Sequence, residues 1–331
     1  MKCYSIIVCL FLCLTGCIND NIRHSEKDSV SSERSSHYPE SRYLTAKGYG
    51  ESKSSARFRA KAEISNIFES TITSQLTLET RAFKNSLKGS YYSEKIDAKI
   101  RVCSQITLKG LQVIDLRTEN GQFAALAVLD KSQARGRWLQ EIRNFDDKIQ
   151  AEYNNIQNRH NKLRWIKPLQ KIWNYWMERS AFASRLSIIN CEAPSNKFGL
   201  KKILGMISTI KNSLQLHVRI SGTYGKKVTD TIAKALNNLD YIVCDSRKAN
   251  TIVSGNIVVE PDIKNKDWIF RRAIVSIQII DRSTNNQVFS IAEDVRSGHL
   301  TLKAAINKSI KAISTVVQKQ IMNIFDPLHL L

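Results

Sequence analysis

The chain has 331 residues, of which 42% are apolar, enough for about two compact units plus connectors. Its 50 Lys and Arg against 30 Asp and Glu leave a net charge of +20, a balance that attracts polyanions. Of seven cysteines, Cys3, Cys9, Cys13 and Cys17 crowd the amino terminus; Cys103, Cys191 and Cys244 are too few for a disulfide framework, although one pair has the means to close.

In chain order, Ile6 to Leu14 is an apolar segment of signal-peptide length behind a lone Lys2, too short to cross a bilayer as a helix. Leu14, Thr15, Gly16 and Cys17 close it. This tetrad resembles the lipobox of bacterial lipoproteins, which implies that Cys17 becomes the first mature residue and carries lipid. The bland alternative is an ordinary secretory signal with an accidental cysteine. Acylation adds ~0.8 kcal/mol per buried methylene, so two or three chains make a permanent anchor. Ile18, not aspartate, follows the cysteine, and in two-membrane bacteria the resemblance then implies sorting to the outer membrane; the periplasmic face is the expected side, with the surface-exposed face left open. There the basic surface meets anionic lipid, lipopolysaccharide or peptidoglycan rather than nucleic acid. The competing reading of the charge is a plain solvated surface.

Residues 1–16 thus read as a cleaved signal peptide and 17–42 as a lipidated, flexible tether. The tether is polar, with Ser29, Ser31, Ser32, Ser35 and Ser36 and almost no large apolar residue to order it. Residues 43–131 read as an α+β domain. Tyr43 to Ala46 predict a strand ending at Gly48 and Gly50, and Ser54 or Ser55 caps a helix whose Ala60, Ile64, Ile67 and Phe68 share one face. Ile96, Ala98, Ile100 and Val102 alternate as a half-buried strand does. Leu111, Val113 and Asp115 form the next, and a turn at Glu119, Asn120 and Gly121 leads into Phe123 to Leu129.

Tyr43-Leu44-Thr45-Ala46-Lys47-Gly48-Tyr49-Gly50, with Ala56 and Ala60 and then Ala125 to Lys131, resembles the LPP-twenty family of outer-membrane lipoproteins. That family has relatives in the flagellar outer rings and in the amino-terminal domain of flagellar assembly protein T. The resemblance covers residues 43–131 and implies an envelope scaffold without catalytic residues. Its physical content is that the glycines turn the chain where a Cβ would clash, while the alanines let the helix lie close on the sheet.

From 132 to 213 the sequence predicts a long helical hairpin and a connector helix. Ile142, Ile149, Ile156 and Leu163 recur every seven residues, with Trp138 and Phe145 between them, a coiled-coil-like seam that Glu152 and Arg159 weaken. Pro168 is expected to break the run before a second amphipathic helix. On that helix Trp165, Trp173 and Trp176, with Lys171 and other cations beside them, suit either internal packing or a contact face for a membrane or partner. Phe198 to Met206 reads equally as an interfacial helix or an ordinary connector.

Residues 214–325 read as a second α+β domain, similar in topology to small periplasmic domains that dock onto envelope machines, such as the cofactor of a peptidoglycan synthase. Strands Leu216–Ile220, Tyr241–Cys244, Thr251–Val259, Ala273–Ile279 and Val288–Val295 surround a helix from Lys227 to Asn237. Leu302, Ile306, Ile313, Val317 and Ile324 stripe a closing helix capped by Thr301. The fold class is α+β, two small domains with antiparallel sheets joined by a helical hairpin.

Chemistry is sparse. Gly222-Thr223-Tyr224-Gly225-Lys226-Lys227 lacks the spacing and the Ser or Thr of a phosphate loop, and the histidines have no metal-ligand spacing. No catalytic, cofactor or metal residue is assigned, and the expectation is a protein that binds rather than catalyses. A structural or assembly role through protein contacts ranks ahead of a regulator docking onto a wall-synthesis or secretion machine, with an enzyme last.

Overall fold

The computed structural model describes residues 37–87, 90–105, 108–116, 118–262 and 267–328. Its first sheet is wholly antiparallel, in the order β1-β3-β2. β1 (Tyr43–Gly50) pairs with β3 (Phe123–Asp130) along its entire length, and β2 (Gln112–Asp115) pairs with the other edge of β3. β3 is therefore central, and Ala124 to Leu129 are buried on both faces. The turn before it forms as expected: Asn120 and Gly121 adopt left-handed φ of 49° and 78°, and Glu119 bridges Gln122.

Helix α1 (Lys53–Ser86) runs for 34 residues, capped by Ser52 rather than by Ser54 or Ser55. Its buried positions, Ala56, Ala60, Ile64, Phe68, Ile72 and Leu76, recur every four residues. Four residues overshoot a helical turn by about 40°, so the stripe winds around the helix. The small residues meet the sheet, while Phe68 and Phe83 farther along meet Trp138 and Trp173 edge-on and stacked. Ile67, placed on the apolar face from sequence, is 40% exposed.

The strand expected at 96–102 is instead helix α2 (Ser90–Ser104). Ile96 and Ile100 satisfy an alternating and a helical period alike; Tyr92, Ile96, Ile100 and Cys103 together fit only the helix, and they are the buried set. Val102 is 57% exposed.

Helices α3 (Lys131–Gln157) and α4 (Ile166–Ile188) form the hairpin, joined through a short 3-10 turn at Lys162–Trp165. They run antiparallel, since α4 Lys171 pairs with α3 Glu152 and the later Arg179 pairs with the earlier Asp146. Trp138, Ile142, Ile149 and Ile156 are buried along the seam. Pro168 does not break the run. It lies in the first turn of α4, where a missing N–H leaves no intrahelical bond unmade, and the chain reverses earlier, after Gln157. α5 (Leu200–Ser213) is the connector form of the next segment, with Ile203, Met206, Ile207 and Ile210 turned inward.

The second sheet has the order β5-β4-β6-β7-β8. β6 (Thr251–Pro261), β7 (Ile269–Asp281) and β8 (Asn286–His299) form the expected antiparallel meander. β4 (Gln215–Ser221) is parallel to β6 and to the short β5 (Ile242–Val243), which corrects the all-antiparallel expectation. The reason is the crossover: α6 (Gly225–Asn238) carries the chain back to the starting end before the next strand. α7 (Leu302–Phe325) closes the body, capped by Thr301, with Ala305, Ile310, Ile313, Val317, Ile321 and Phe325 buried. Leu302 and Ile324 fall at the margin of that face, Leu302 being 45% exposed. One continuous core links both sheets through α4.

Candidate functional site

Cys17 and the Leu14-Thr15-Gly16 triplet lie outside the described residues. The structure does place the aromatic candidates on α4. Trp173 is 1% exposed, stacked 5.0 Å from Phe83 and 6.0 Å from Trp176, both at 11°. Trp176 is buried with it, so these two rings are interior packing and present no contact face. Trp165 and Lys171 stay at the surface but are engaged: Trp165 Nε1 donates to the Arg159 carbonyl at 2.8 Å, and Lys171 pairs with Glu152 at 2.7 Å. The four residues do not form one exposed patch because Trp173 turns inward onto Phe83 of α1 and Trp176 stacks beside it.

Sequence reasoning missed a buried polar junction at the end of α7. The Asp326 side chain is fully buried and accepts from Tyr91 Oη at 3.0 Å, from Lys95 Nζ and from the Leu328 amide. Gln170 of α4 donates to the Asp326 carbonyl, and Tyr241 Oη donates to the Phe325 carbonyl at 2.8 Å. Nearby, Tyr92 Oη reaches the Leu239 carbonyl and Lys211 pairs with Asp240. Burial, with Asp326 close by, pushes the Tyr91 and Tyr92 hydroxyls well above the usual phenol range, so both remain neutral donors. Only a long-range pairing connects these groups, so no local pattern announces them.

The three described thiols are separate. Cys103 is buried beside Glu178, and desolvation pushes its pKa up to about 12. We therefore expect iodoacetamide at neutral pH to label Cys191 and Cys244 in the folded protein while Cys103 reacts only after unfolding, as read by peptide mass mapping. Labelling of Cys103 at the same rate as the other two refutes its burial.

Gly222, at φ 100°, and Gly225 make a tight turn in which the Gly225 amide donates to the Gly222 carbonyl at 2.9 Å. Among the described residues no three His, Cys, Asp or Glu side chains gather as a metal site, and no helix is long and apolar enough to cross a membrane. An open groove of about 590 Å³ runs past Gln75, Glu79, Ser187 and Glu192, and burial raises the Glu79 carboxyl above its ordinary value. A second cavity, of about 460 Å³, lies against α3 and α4 near Trp138 and Arg185.

No protein-family model and no curated protein sequence matches the chain. Among solved structures, the secreted protein HP1454 from Helicobacter pylori is similar over 85% of this chain and 98% of its own, at 13% identity and a TM-score of 0.39. A minor lipoprotein from Acinetobacter baumannii is similar over 34% of this chain and 88% of its own, at 10% identity and a TM-score of 0.26. The rare lipoprotein B from Shewanella oneidensis covers 33% of this chain and 89% of its own, at 14% identity and a TM-score of 0.25. Likenesses this distant assign neither a family nor a role.

Proposed function

We propose that the chain is a lipid-anchored lipoprotein of the outer membrane, held on the periplasmic face, with a structural or assembly role exerted through contacts with other envelope proteins or with its own copies. The observation that carries this reading is the signal-length apolar run ending in Leu14-Thr15-Gly16-Cys17. The start of the body supports it: Arg42, Lys131 and Arg135 line one groove with Glu192, a net-positive patch suited to an anionic headgroup layer, although Arg42 also pairs with Asp130 at 3.4 Å. Its activity is binding, not catalysis.

Replacing Cys17 by Ser is expected to release the protein into the soluble periplasmic fraction, and the native amino terminus is expected to carry acyl chains by intact-mass measurement. An unmodified terminus or a retained leader refutes the anchor. Persistence of the variant at the outer membrane means that protein contacts hold it there. A pull-down in mild detergent then separates a scaffold, which recovers self-assemblies or structural envelope proteins, from a regulator, which recovers a synthase.

A further inference from the structure

The cavity beside Arg185 combines apolar walls with a poorly satisfied cation. Its volume of about 460 Å³ falls in the range of small-molecule sites, and Leu108, Trp138 and Phe182 supply its apolar lining. The Arg185 Nε is buried and makes no hydrogen bond among the described residues. The guanidinium carbon sits 4.1 Å from the Phe182 ring centroid. Glu178 and Glu141 act on it electrostatically; the Glu178 carboxylate is already taken by Lys99 at 3.2 Å and by the Cys103 thiol at 3.5 Å, and Glu141 lines the cavity together with the cations Lys109, Arg137 and Arg185. Burial pulls the guanidinium below its ordinary pKa, which marks a charge only partly compensated by its surroundings.

One wall of the cavity adds a second observation. Gly136 lines it from within α3, where glycine costs about 1 kcal/mol relative to alanine. A Cβ built there meets no atom within 4 Å, so close packing does not require the glycine. Its φ is not in the left-handed region either. The missing side chain leaves the space on this side of the cavity open. The neighbouring Arg137, which also lines the cavity, is held by the Lys109 carbonyl at 2.8 Å.

We propose that this cavity binds a small amphiphilic anion, its apolar body against Leu108, Trp138 and Phe182 and its single carboxylate or phosphate-monoester head on Arg185. Charge selects the head and the aromatic walls select the body. The site is independent of the anchor and of the assembly role.

Isothermal titration of the full chain carrying Cys17→Ser, which removes competing acyl groups, tests it with decanoate, decyl phosphate and decanol. The expected result is saturable binding of an anion at one site per chain, roughly tenfold tighter than decanol, with the tighter anion identifying the head. Gly136→Leu is expected to weaken that binding by about tenfold or more while leaving the melting temperature unchanged or raised. Arg185→Gln, which leaves Gly136 in place, is expected to abolish the preference for the anion over decanol and serves as the decisive variant if Gly136→Leu fails to fold. Absence of saturable anion binding, equal affinity for decanol, or binding that survives both substitutions overturns the proposal.

Discussion

Gly48→Ala is expected to destabilise the protein by about 3 kcal/mol or more, the upper end of what overpacking costs. A Cβ at Gly48 lies 2.1 Å from the Ala60 nitrogen, 2.5 Å from the Ala56 carbonyl oxygen and 2.8 Å from the Ala60 Cα. All three are backbone atoms of α1, so no side-chain rotation relieves the clash. The helix has to lift off β1, which also loosens the contacts of Ala56 and Ala60, both fully buried. Urea unfolding followed by circular dichroism gives the measurement, as a lower midpoint at an unchanged slope. Gly205→Ala is the matched control, because its Cβ meets open space inside α5 and the exchange is expected to stabilise by up to about 1 kcal/mol. A loss below about 1 kcal/mol for Gly48→Ala means the helix does not lie this close to the strand.

Trp173→Ala is expected to cost about 3–5 kcal/mol, as for other large aromatic side chains removed from a core. The ring fills the space between α1 and α4, sandwiched by Phe83 and Trp176. Its removal opens a cavity at the centre of the molecule, where α4 ties the two sheets together, so local collapse recovers little. Loss of the near-ultraviolet aromatic signal and a lower unfolding midpoint are the readouts. Trp176→Phe provides the contrast: the Trp176 Nε1 is buried without a hydrogen-bond partner among the described residues, so exchanging the indole for phenyl removes an unsatisfied donor and offsets part of the lost packing. Preserved stability in Trp173→Ala, with only partner or membrane binding reduced, restores the contact-face reading that the burial of this ring argues against.

Both substitutions mark what local pattern reveals. The pairing of small residues, Gly48 in the strand with Ala56 and Ala60 in the helix, is legible because close approach leaves a compositional trace on both elements. The Asn120-Gly121 turn is legible because left-handed backbone favours those residue types. Segment 90–104 is misread because Ile96 and Ile100 fit two periods, and choosing between them requires knowing that Tyr92 and Cys103 also face inward. Pro168 is misread because a proline reads alike as a stop and as a first-turn residue; the position of the preceding turn decides. The direction of β4 is hidden in the crossover, since a strand's residues do not state the direction of its neighbour. For the candidate site the balance reverses: the Cys17 motif is entirely a matter of sequence, while the buried Asp326 junction and the Arg185 cavity need side chains from distant segments to be placed together.

The junction at Asp326 also sets an order of events. Tyr91 and Lys95 wait for a carboxylate that lies 235 and 231 residues farther along the chain. Helix α2 meets its acceptor only when segments this far apart are brought together, so this docking depends on the chain between them being folded. Closing so wide a loop adds little entropy cost beyond that of a shorter one, but long-range contacts of this kind form slowly. The Asp326 junction is thus a clasp between distant segments of one body.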